Sequence, residues 1–194
     1  ELFRAHFGAL PKKALNGMEI GATLGLVRSM MLLLSSPDVT HVAVAFDHVI
    51  ESFRNKMYPG YKSSAGVDPV ILNQFPLAEK MVSALGLVIL PQVKFEADDA
   101  IATAVAKFKK SKSVEQIVIC SVDKDLTQMV DGKRVVCWDR RREIILDEKG
   151  VAEKFGVSPE SIPDYLALVG DSADGYPGIQ GWGEKSTATV LAKY

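Results

Sequence analysis

Cysteine and long apolar runs are scarce in this sequence of 194 residues. The two cysteines, Cys120 and Cys137, lie inside short apolar runs typical of strands, which favours two buried free thiols over a disulfide or a metal-binding pair. Free thiols are typical of a reducing compartment, so we expect a cytoplasmic protein.

Apolar runs such as MMLLL (30–34) fall far short of the ~20 residues of a membrane span, and no basic segment followed by an apolar one marks a secretory signal.

Histidine is also scarce, and the charges of the chain nearly cancel. His6, His41 and His48 have no ligand spacing with the acidic residues, so we interpret them as structural or surface residues. The 23 lysines and arginines oppose 24 acidic residues, and the net charge of -1 by itself gives no sign of a nucleic-acid partner, although a total says nothing about distribution. With 47% hydrophobic residues, the chain suits one globular domain with a small appended module.

Short apolar runs alternate with amphipathic stretches along the chain. The runs HVAVAFD (41–47) and QIVICS (116–121) are apolar on both faces, as strands buried in a parallel sheet are. Residues 70–85 and 97–108 have helical spacing, and the alternation predicts an α/β fold with a mostly parallel sheet flanked by helices. RVVCW and EIIL flank the charged turn DRRR, which predicts a hairpin or an added edge.

Two segments do not fit this alternation. Residues 55–69, NKMYPGYKSSAGVDP, form an irregular stretch of about fifteen residues, which is longer than an ordinary connection and predicts a functional or disordered loop. The N-terminal ELFRAHFGAL begins without a strand of its own, as though an element preceded it. We therefore expect a core at 1–150, with a loop at about 50–70, and a helical region with glycine-rich turns at 151–194.

Acidic residues gather where the predicted strands end. One acid ends the first strand, a pair follows the second, and a third group follows the apolar run LVILP and begins a helix. In an open α/β sheet the carboxyl ends of the strands form one edge, so we expect these groups to converge there. A fourth group lies in the turn GDSADG. The eight carboxylates are Asp47, Glu96, Asp98, Asp99, Asp123, Asp125, Asp171 and Asp174.

Each acidic group alone has an ordinary explanation, because a turn or a helix N-cap accounts for one or two acids at each place. Eight carboxylates at one edge would nevertheless repel each other strongly unless cations lay among them. Oxygen donors without histidine or cysteine select Mg²⁺ or Mn²⁺ over zinc. A cluster of this size predicts a pair of ions able to bind both reacting oxygens of a phosphodiester.

Four motifs carry a family resemblance. FRNKMYPGYKS, FEADDAIATAV, SVDKDLTQMV and LALVGDSADGYPGIQGWGEK are similar, in this order and over nearly the whole chain, to motifs of the 5′ to 3′ exonuclease domain of bacterial DNA polymerase I and its relatives, the flap endonucleases. The resemblance implies a PIN-like α/β fold with a C-terminal helix-hairpin-helix DNA-binding region. It also implies cleavage of DNA at 5′ ends and flaps by two-metal-ion catalysis, with two Mg²⁺ or Mn²⁺ ions held by the eight carboxylates, some directly and some through water.

The resemblance also assigns roles outside the carboxylates. The family pattern of an arch over the active site matches Arg54, Tyr58, Tyr61 and Lys62. Arg54 and Lys62 are expected to stabilise charge on the scissile phosphate, and the two tyrosines to stack on an unpaired base. A plain solvated loop is the alternative. Arg4 is implied to lie near the substrate phosphate, with a surface salt bridge as the alternative.

The segment GIQGWGEKSTATVL resembles the helix-hairpin-helix turn of the family. Gly178, Gly181 and Gly183 would permit a close backbone approach to duplex DNA, and Lys185 would add a phosphate contact without reading sequence. The resemblance also implies a K⁺ ion at this turn. Without the eight site acids, sixteen acids remain against 23 basic residues, so we expect a basic surface around an acidic pocket.

The sequence departs from the family pattern in three places. Ala65 stands where an arginine commonly follows the arch lysine, so one phosphate contact is missing or comes from elsewhere. The family's first strand, which ends in a metal-binding aspartate, is absent from the printed residues, and the family's further helices do not follow Tyr194. We expect the chain to be a piece of a longer protein.

The resemblance implies a role in DNA replication and repair, on branched or 5′-ended duplexes such as 5′ flaps and RNA primers, beside a fused or separate DNA polymerase. The expected place is the cytoplasm, at the nucleoid if the source is bacterial. Two other functions stay open, a PIN-type ribonuclease that shares the acidic edge and a non-catalytic module that binds duplex DNA. The hairpin and the YPGYK arch favour structured DNA over RNA, and Mg²⁺-dependent cleavage would separate a nuclease from a binding module.

Overall fold

A computed structural model describes residues 2–8 and 10–194, which form two compact units. One unit contains the residues up to Phe53 and Ser63–Ala97, and the other contains Arg54–Lys62 and Asp98–Tyr194. The described helices are α1 (Leu2–Gly8), α2 (Gly21–Leu34), α3 (Arg54–Met57), α4 (Pro69–Leu72), α5 (Phe75–Ala84), α6 (Ala97–Phe108), α7 (Glu148–Phe155), α8 (Ile162–Val169) and α9 (Glu184–Leu191). The described strands are β1 (Ala43–Asp47), β2 (Val88–Gln92), β3 (Ile117–Ile119), β4 (Val135–Asp139) and β5 (Ile144–Leu146).

The first unit contains a parallel pair of strands. β1 pairs with β2, and Asp47 at the end of β1 lies opposite Gln92. Apolar side chains of α1, α2, β1 and α5 form its core, in which Leu26 is buried and Val82 is fully buried. The predicted strand at 41–47 is confirmed as β1, and its carboxyl end carries the acid that the sequence places there.

The helical spacing over residues 70–85 resolves into two helices rather than one. α4 ends at Leu72, and α5 begins three residues later. Pro76 lies in the first turn of α5, and because proline has no N–H it cannot donate to the carbonyl of Leu72, which favours a break between the two helices. The buried Gln74 in the break accepts a hydrogen bond from the backbone N–H of Thr23 at 3.0 Å.

The second unit contains a three-stranded sheet. β3 and β4 are parallel, β4 and β5 are antiparallel, and Glu143 in the turn between β4 and β5 has a φ of 57°. The predicted hairpin is therefore confirmed. α7 and α8 pack with the sheet around a core in which Leu126, Val151 and Ile162 are fully buried. No helix among residues 2–8 and 10–194 combines the length and the apolar character needed to cross a membrane.

Candidate metal centre

Two carboxylates of the first unit lie at the start of α6. Asp47, the last residue of β1, accepts a hydrogen bond through Oδ1 from the backbone N–H of Ala97 at 2.7 Å. Glu96 is 2% exposed and accepts a hydrogen bond from the Ser52 hydroxyl at 2.5 Å. Hydrogen bonds of this kind stabilise the ionised form of a carboxyl group. The sequence FEADDA thus starts the helix as predicted, with its first acid inside the unit rather than on a solvated cap.

Asp98 and Asp99 occupy the first turn of α6, where the free N–H groups of the helix favour negative charge. Asp99 binds Arg54 of α3 through two parallel hydrogen bonds, from Nη1 to Oδ2 and from Nη2 to Oδ1, both 2.8 Å long. Such a bidentate pair fixes the orientation of both groups. Arg54, a predicted phosphate contact, is therefore held by a predicted metal ligand.

Three carboxylates of the second unit come together. Asp125 begins a 3₁₀ helix (Asp125–Met129) after β3, and Asp171 and Asp174 lie in the turn after α8. One oxygen of each residue lies within 4.8 Å of an oxygen of the other two. We call Asp125, Asp171 and Asp174 the acid triad. Asp171 and Asp174 are 2% and 7% exposed, so two of these charges are placed where water cannot screen them well.

Backbone hydrogen bonds close the turn that carries two members of the acid triad. Asp171 and Tyr176 exchange backbone hydrogen bonds of 2.8 and 3.1 Å, and Asp171 Oδ1 accepts another from the N–H of Ala173 at 2.9 Å. Gly170 and Gly178 have φ values of 90° and 69°, and a Cβ added to either would lie within 2.6 Å of backbone atoms. Only glycine fits such positions, so these two residues shape the turn.

The electrostatics of the acid triad favour a cation. Burial, followed by the charge of Asp123 and those of the other two triad members, raises the pKa of Asp125 to about 8. Burial, followed by the charges of the acid triad and of Asp123, also raises the pKa of the Tyr176 phenol. Asp125 Oδ1 is buried and accepts no hydrogen bond from the described residues. A buried oxygen without a donor, among carboxylates close enough to repel each other, fits a hard divalent ion.

Lysines lie against both buried members of the triad. Lys62 Nζ is 2.8 Å from Asp174 Oδ1, and the backbone N–H of Lys62 donates to the carbonyl of Asp174 at 2.9 Å. Lys124 Nζ is 3.1 Å from Asp171 Oδ2. Sequence reasoning predicted a phosphate contact for Lys62 but missed Lys124. The sequence signal for Lys124 was its position between the two acids of DKD, because neighbouring carboxylates need a counter-ion.

The segment Arg54–Lys62 packs against the turn of the acid triad. The carbonyl oxygen of Gly60 lies only 2.2 Å from the point that a Cβ on Gly175 would occupy, so the two backbones are in direct contact. Tyr58 is exposed, and Tyr61 is half-buried with the Lys62 ammonium 5.5 Å from the centre of its ring. The predicted arch lysine therefore lies at the triad, and of the two predicted stacking tyrosines Tyr58 is the more exposed.

The three glycines of the predicted phosphate-binding turn differ in their surroundings. Gly178 packs against the backbone of residues 168–170, whereas a Cβ on Gly181 or Gly183 would meet nothing within 4 Å. Gly183 precedes α9, and its N–H donates to the Ser186 hydroxyl at 3.0 Å. Lys185, in the first turn of α9, is exposed. Gly178 thus makes its close contact with backbone of this chain, whereas the space beside Gly181 and Gly183 is open.

Other predicted residues lie outside the triad. Arg4 is half-buried in α1 of the first unit. Asp123 is exposed after β3, and its Oδ1 accepts a hydrogen bond from the N–H of Asp125 at 3.3 Å. Within the described part of the second unit, Asp98, Asp99 and Asp123 are not members of the three-carboxylate group.

Two family models together match the whole chain. A family model described as the N-terminal resolvase-like domain of 5′-3′ exonuclease matches residues 1–156, and a model described as its C-terminal SAM fold matches residues 157–194. A 5′-3′ exonuclease of Aquifex aeolicus is 35% identical over 194 residues, which are 100% of this chain and 66% of that protein. DNA polymerase I of Mycobacterium tuberculosis is 34% identical over 199 residues, covering 99% of this chain and 22% of that protein. The chain thus spans just under two thirds of the first relative and about a fifth of the second.

A solved structure shares the fold. The pseudo-enzyme-product complex of bacteriophage T5 D15 flap endonuclease with DNA and metal ions has a TM-score of 0.72 at 20% identity, over 89% of this chain and 66% of that one. At this level of identity the likeness concerns the fold. The expected fold class, α/β with parallel strands flanked by helices and a C-terminal helical region, is confirmed.

Proposed function

The chain belongs to the 5′-3′ exonuclease family, and we propose that it acts as a divalent-metal-dependent nuclease that hydrolyses phosphodiester bonds of DNA at 5′ ends and 5′ flaps. The observation that carries the proposal is the acid triad. Three carboxylate oxygens within 4.8 Å of each other, two of them on buried side chains, form a donor set of the kind that binds hard divalent ions. Divalent ions at such a site supply the Lewis acidity that phosphodiester hydrolysis needs.

The side chains around the acid triad have separate tasks in this proposal. Lys62 would neutralise charge on the scissile phosphate. Its ammonium lies 2.8 Å from a triad carboxylate, which places it at the proposed metal site. Arg54 of the same motif is a second cation, which its bidentate pair with Asp99 orients. By motif alone, we extend the metal-ligand role to the remaining acids, which are Asp47, Glu96, Asp98, Asp99 and Asp123.

The proposed ions are two Mg²⁺ or Mn²⁺. Carboxylate oxygens without thiolate or imidazole ligands favour these ions over zinc. The motif carboxylates exceed what one six-coordinate ion requires, which supports a pair. At the hairpin turn we also propose K⁺, on the basis of the motif GIQGWGEK and the open backbone that begins at Gly181.

The proposed substrate is branched or 5′-ended duplex DNA, including 5′ flaps and RNA primers. The T5 relative of the same fold binds DNA, and the excess of basic residues away from the site acids suits a phosphate backbone. Tyr58 and Tyr61 would stack on an unpaired base, while Arg4 and the hairpin residues would contact the duplex. The hairpin contacts proposed are Gly178, Gly181, Gly183 and Lys185.

The proposed setting is DNA replication and repair in the cytoplasm. The relatives that are DNA polymerase I support a polymerase partner, either fused to this chain or separate. Within the chain we propose a nuclease core at 1–150, with an arch at about 50–70, and a hairpin region at 151–194. This division follows the change from mixed to helical elements in the sequence.

The experiment is a cleavage assay with a 5′-flap duplex that carries a label on the flap. The full-length protein is incubated with Mg²⁺ or with EDTA, beside the variants Asp174→Asn and Asp38→Asn. Asp174 is 7% exposed in the acid triad, whereas Asp38 is an exposed residue of a loop in the first unit and serves as the matched control. We expect cleavage with Mg²⁺ in the wild type and in Asp38→Asn, and a loss of about 100-fold or more in Asp174→Asn.

Three results would contradict the proposal in different ways. Cleavage that continues in EDTA, or that Asp174→Asn leaves intact, would exclude metal-dependent chemistry at the triad. Faster cleavage of an RNA strand than of the DNA flap would favour a ribonuclease. Flap binding without cleavage under any metal condition would favour a duplex-binding module.

A further inference from the structure

Lys124 lies against the most deeply buried carboxylate of the acid triad, and neither the proposed reaction nor the family motifs assign it a role. We propose that Lys124 is a built-in counter-cation, which holds Asp171 in place before metal loading and is exchanged for the metal ion when the ion binds. The inference rests on the proposed metal-dependent function and deepens it. On this proposal Lys124 sets how readily the site takes up its ion.

Both oxygens of Asp171 are already engaged within the protein. Oδ1 accepts the N–H of Ala173 at 2.9 Å, and that bond is part of the turn itself. Oδ2 lies 3.1 Å from Lys124 Nζ. Oδ2 is therefore the oxygen that can change partner without opening the turn. A divalent ion bound to Oδ2 at about 2.1 Å would lie within roughly 5 Å of the ammonium, and two positive charges at one oxygen repel.

Burial explains why Asp171 needs a cation at all times. The residue is 2% exposed, and an ionised carboxylate that is removed from water without a partner is strongly destabilising. The Lys124 ammonium meets that need within the folded chain. Because the side chain of Lys124 is 35% exposed, its charge can move into water when another cation takes over.

The other cations at the site are held more firmly. Arg54 makes two hydrogen bonds of 2.8 Å to Asp99, and Lys62 is attached to Asp174 through its backbone N–H as well as its ammonium. Lys124 has a single ammonium contact to the triad among the described residues. A lysine ammonium on a flexible stem is also easier to rehydrate and move than a bidentate guanidinium. These differences select Lys124 as the exchangeable cation.

The exchange is tested by amine labelling of the wild-type full-length protein. Short pulses of an acetylating reagent are applied with EDTA or with Mg²⁺, and the modification rate of each lysine is read by peptide mass spectrometry. We expect Mg²⁺ to raise the rate at Lys124 several-fold and to leave Lys149 unchanged. Lys149 is the reference because its side chain is 82% exposed in α7. An unchanged or lower rate at Lys124, at a Mg²⁺ concentration that raises the melting temperature, would overturn the exchange.

Matched variants provide a second readout that does not depend on cleavage. Lys124→Met removes the competing charge, so we expect a lower melting temperature in EDTA and Mg²⁺ binding about fivefold tighter or more by calorimetry. Lys124→Arg keeps the charge and should keep the wild-type melting temperature, and Lys149→Met should change neither quantity. Mg²⁺ binding by Lys124→Met at or below the wild-type affinity would overturn the proposal.

The outcomes separate this inference from the proposed function. If the wild type binds Mg²⁺ and cleaves the flap while Lys124 labelling and Lys124→Met affinity stay unchanged, the exchange is wrong and the nuclease proposal stands. If the wild type shows no Mg²⁺ binding at all, both are wrong. If Lys124→Met does not fold, the labelling of the wild type decides alone.

Discussion

Alanine at Gly178 should damage the turn that carries two carboxylates of the acid triad, whereas alanine at Gly181 should not. Both glycines have positive φ, 69° and 88°, so both substitutions force alanine into the left-handed region. Their surroundings differ sharply. A Cβ at residue 178 would lie 2.4 Å from the backbone nitrogen of Gly170, while a Cβ at residue 181 would meet nothing within 4 Å. The pair therefore separates steric contact from backbone strain.

The expected magnitudes follow from these two contributions. Left-handed backbone costs an alanine about 1–2 kcal/mol, and the reduced freedom of the unfolded chain returns up to about 1 kcal/mol. Gly181→Ala should therefore lower the free energy of unfolding by about 1 kcal/mol. Gly178→Ala adds a clash with backbone, typically about 1–3 kcal/mol more. At roughly 2–4 °C per kcal/mol for a chain of this size, the melting temperature should fall by about 2–4 °C and about 4–16 °C respectively.

The assay is thermal unfolding followed by circular dichroism, in EDTA and again with Mg²⁺. We expect Gly178→Ala to lose most of the rise in melting temperature that Mg²⁺ causes in the wild type, because the turn that holds Asp171 and Asp174 is displaced. Gly181→Ala should keep that rise. Equal melting temperatures for the two variants, or a full Mg²⁺ response in Gly178→Ala, would show that the backbone contact at Gly178 does not hold the turn in place.

Two further predictions concern an ion pair and a thiol. Arg54→Lys cannot make both hydrogen bonds to Asp99, so we expect flap cleavage to fall about tenfold or more in a steady-state assay, and wild-type rates would contradict a positioning role. Burial raises the pKa of Cys137 from 9.0 to about 12, so the thiol ionises in the unfolded chain before it does in the folded one. Stability should therefore fall between pH 9 and 12, by up to about 1.4 kcal/mol per pH unit. Urea unfolding should show that Cys137→Ala reduces this slope, leaving the part that comes from the raised pKa of Tyr176, and that Cys120→Ala does not, and the same slope in both variants would exclude a contribution from Cys137.

Elements with a local cause could be predicted from the sequence. The acids Glu96, Asp98 and Asp99 lie at the start of a stretch with helical spacing, and α6 covers the predicted residues 97–108. The run HVAVAFD ends in an acid, and β1 ends at that acid. The charged turn DRRR between two apolar runs produced the predicted hairpin of β4 and β5. In each case residues adjacent in the chain decide the structure.

Features that depend on distant residues could not be predicted in this way. The predicted gathering of Asp125 with Asp171 rested on the expected sheet edge and on a family resemblance, because no local pattern relates two turns 46 positions apart. The ammonium of Lys124 on Asp171 and the buried Gln74 bonded to Thr23 were missed for the same reason. Helical spacing over 70–85 likewise conceals the break between α4 and α5, because apolar periodicity continues across it.

The proposed nuclease activity depends on a divalent ion held by the acid triad. The most direct measurement is the anomalous difference map of a crystal of the full-length protein soaked in Mn²⁺, since Mn²⁺ accepts the same oxygen ligands as Mg²⁺. We expect a peak within bonding distance of oxygens of Asp125, Asp171 and Asp174, and its loss in Asp171→Asn. Saturating Mn²⁺ that gives no peak at these three residues, in protein that still cleaves the flap, would contradict it.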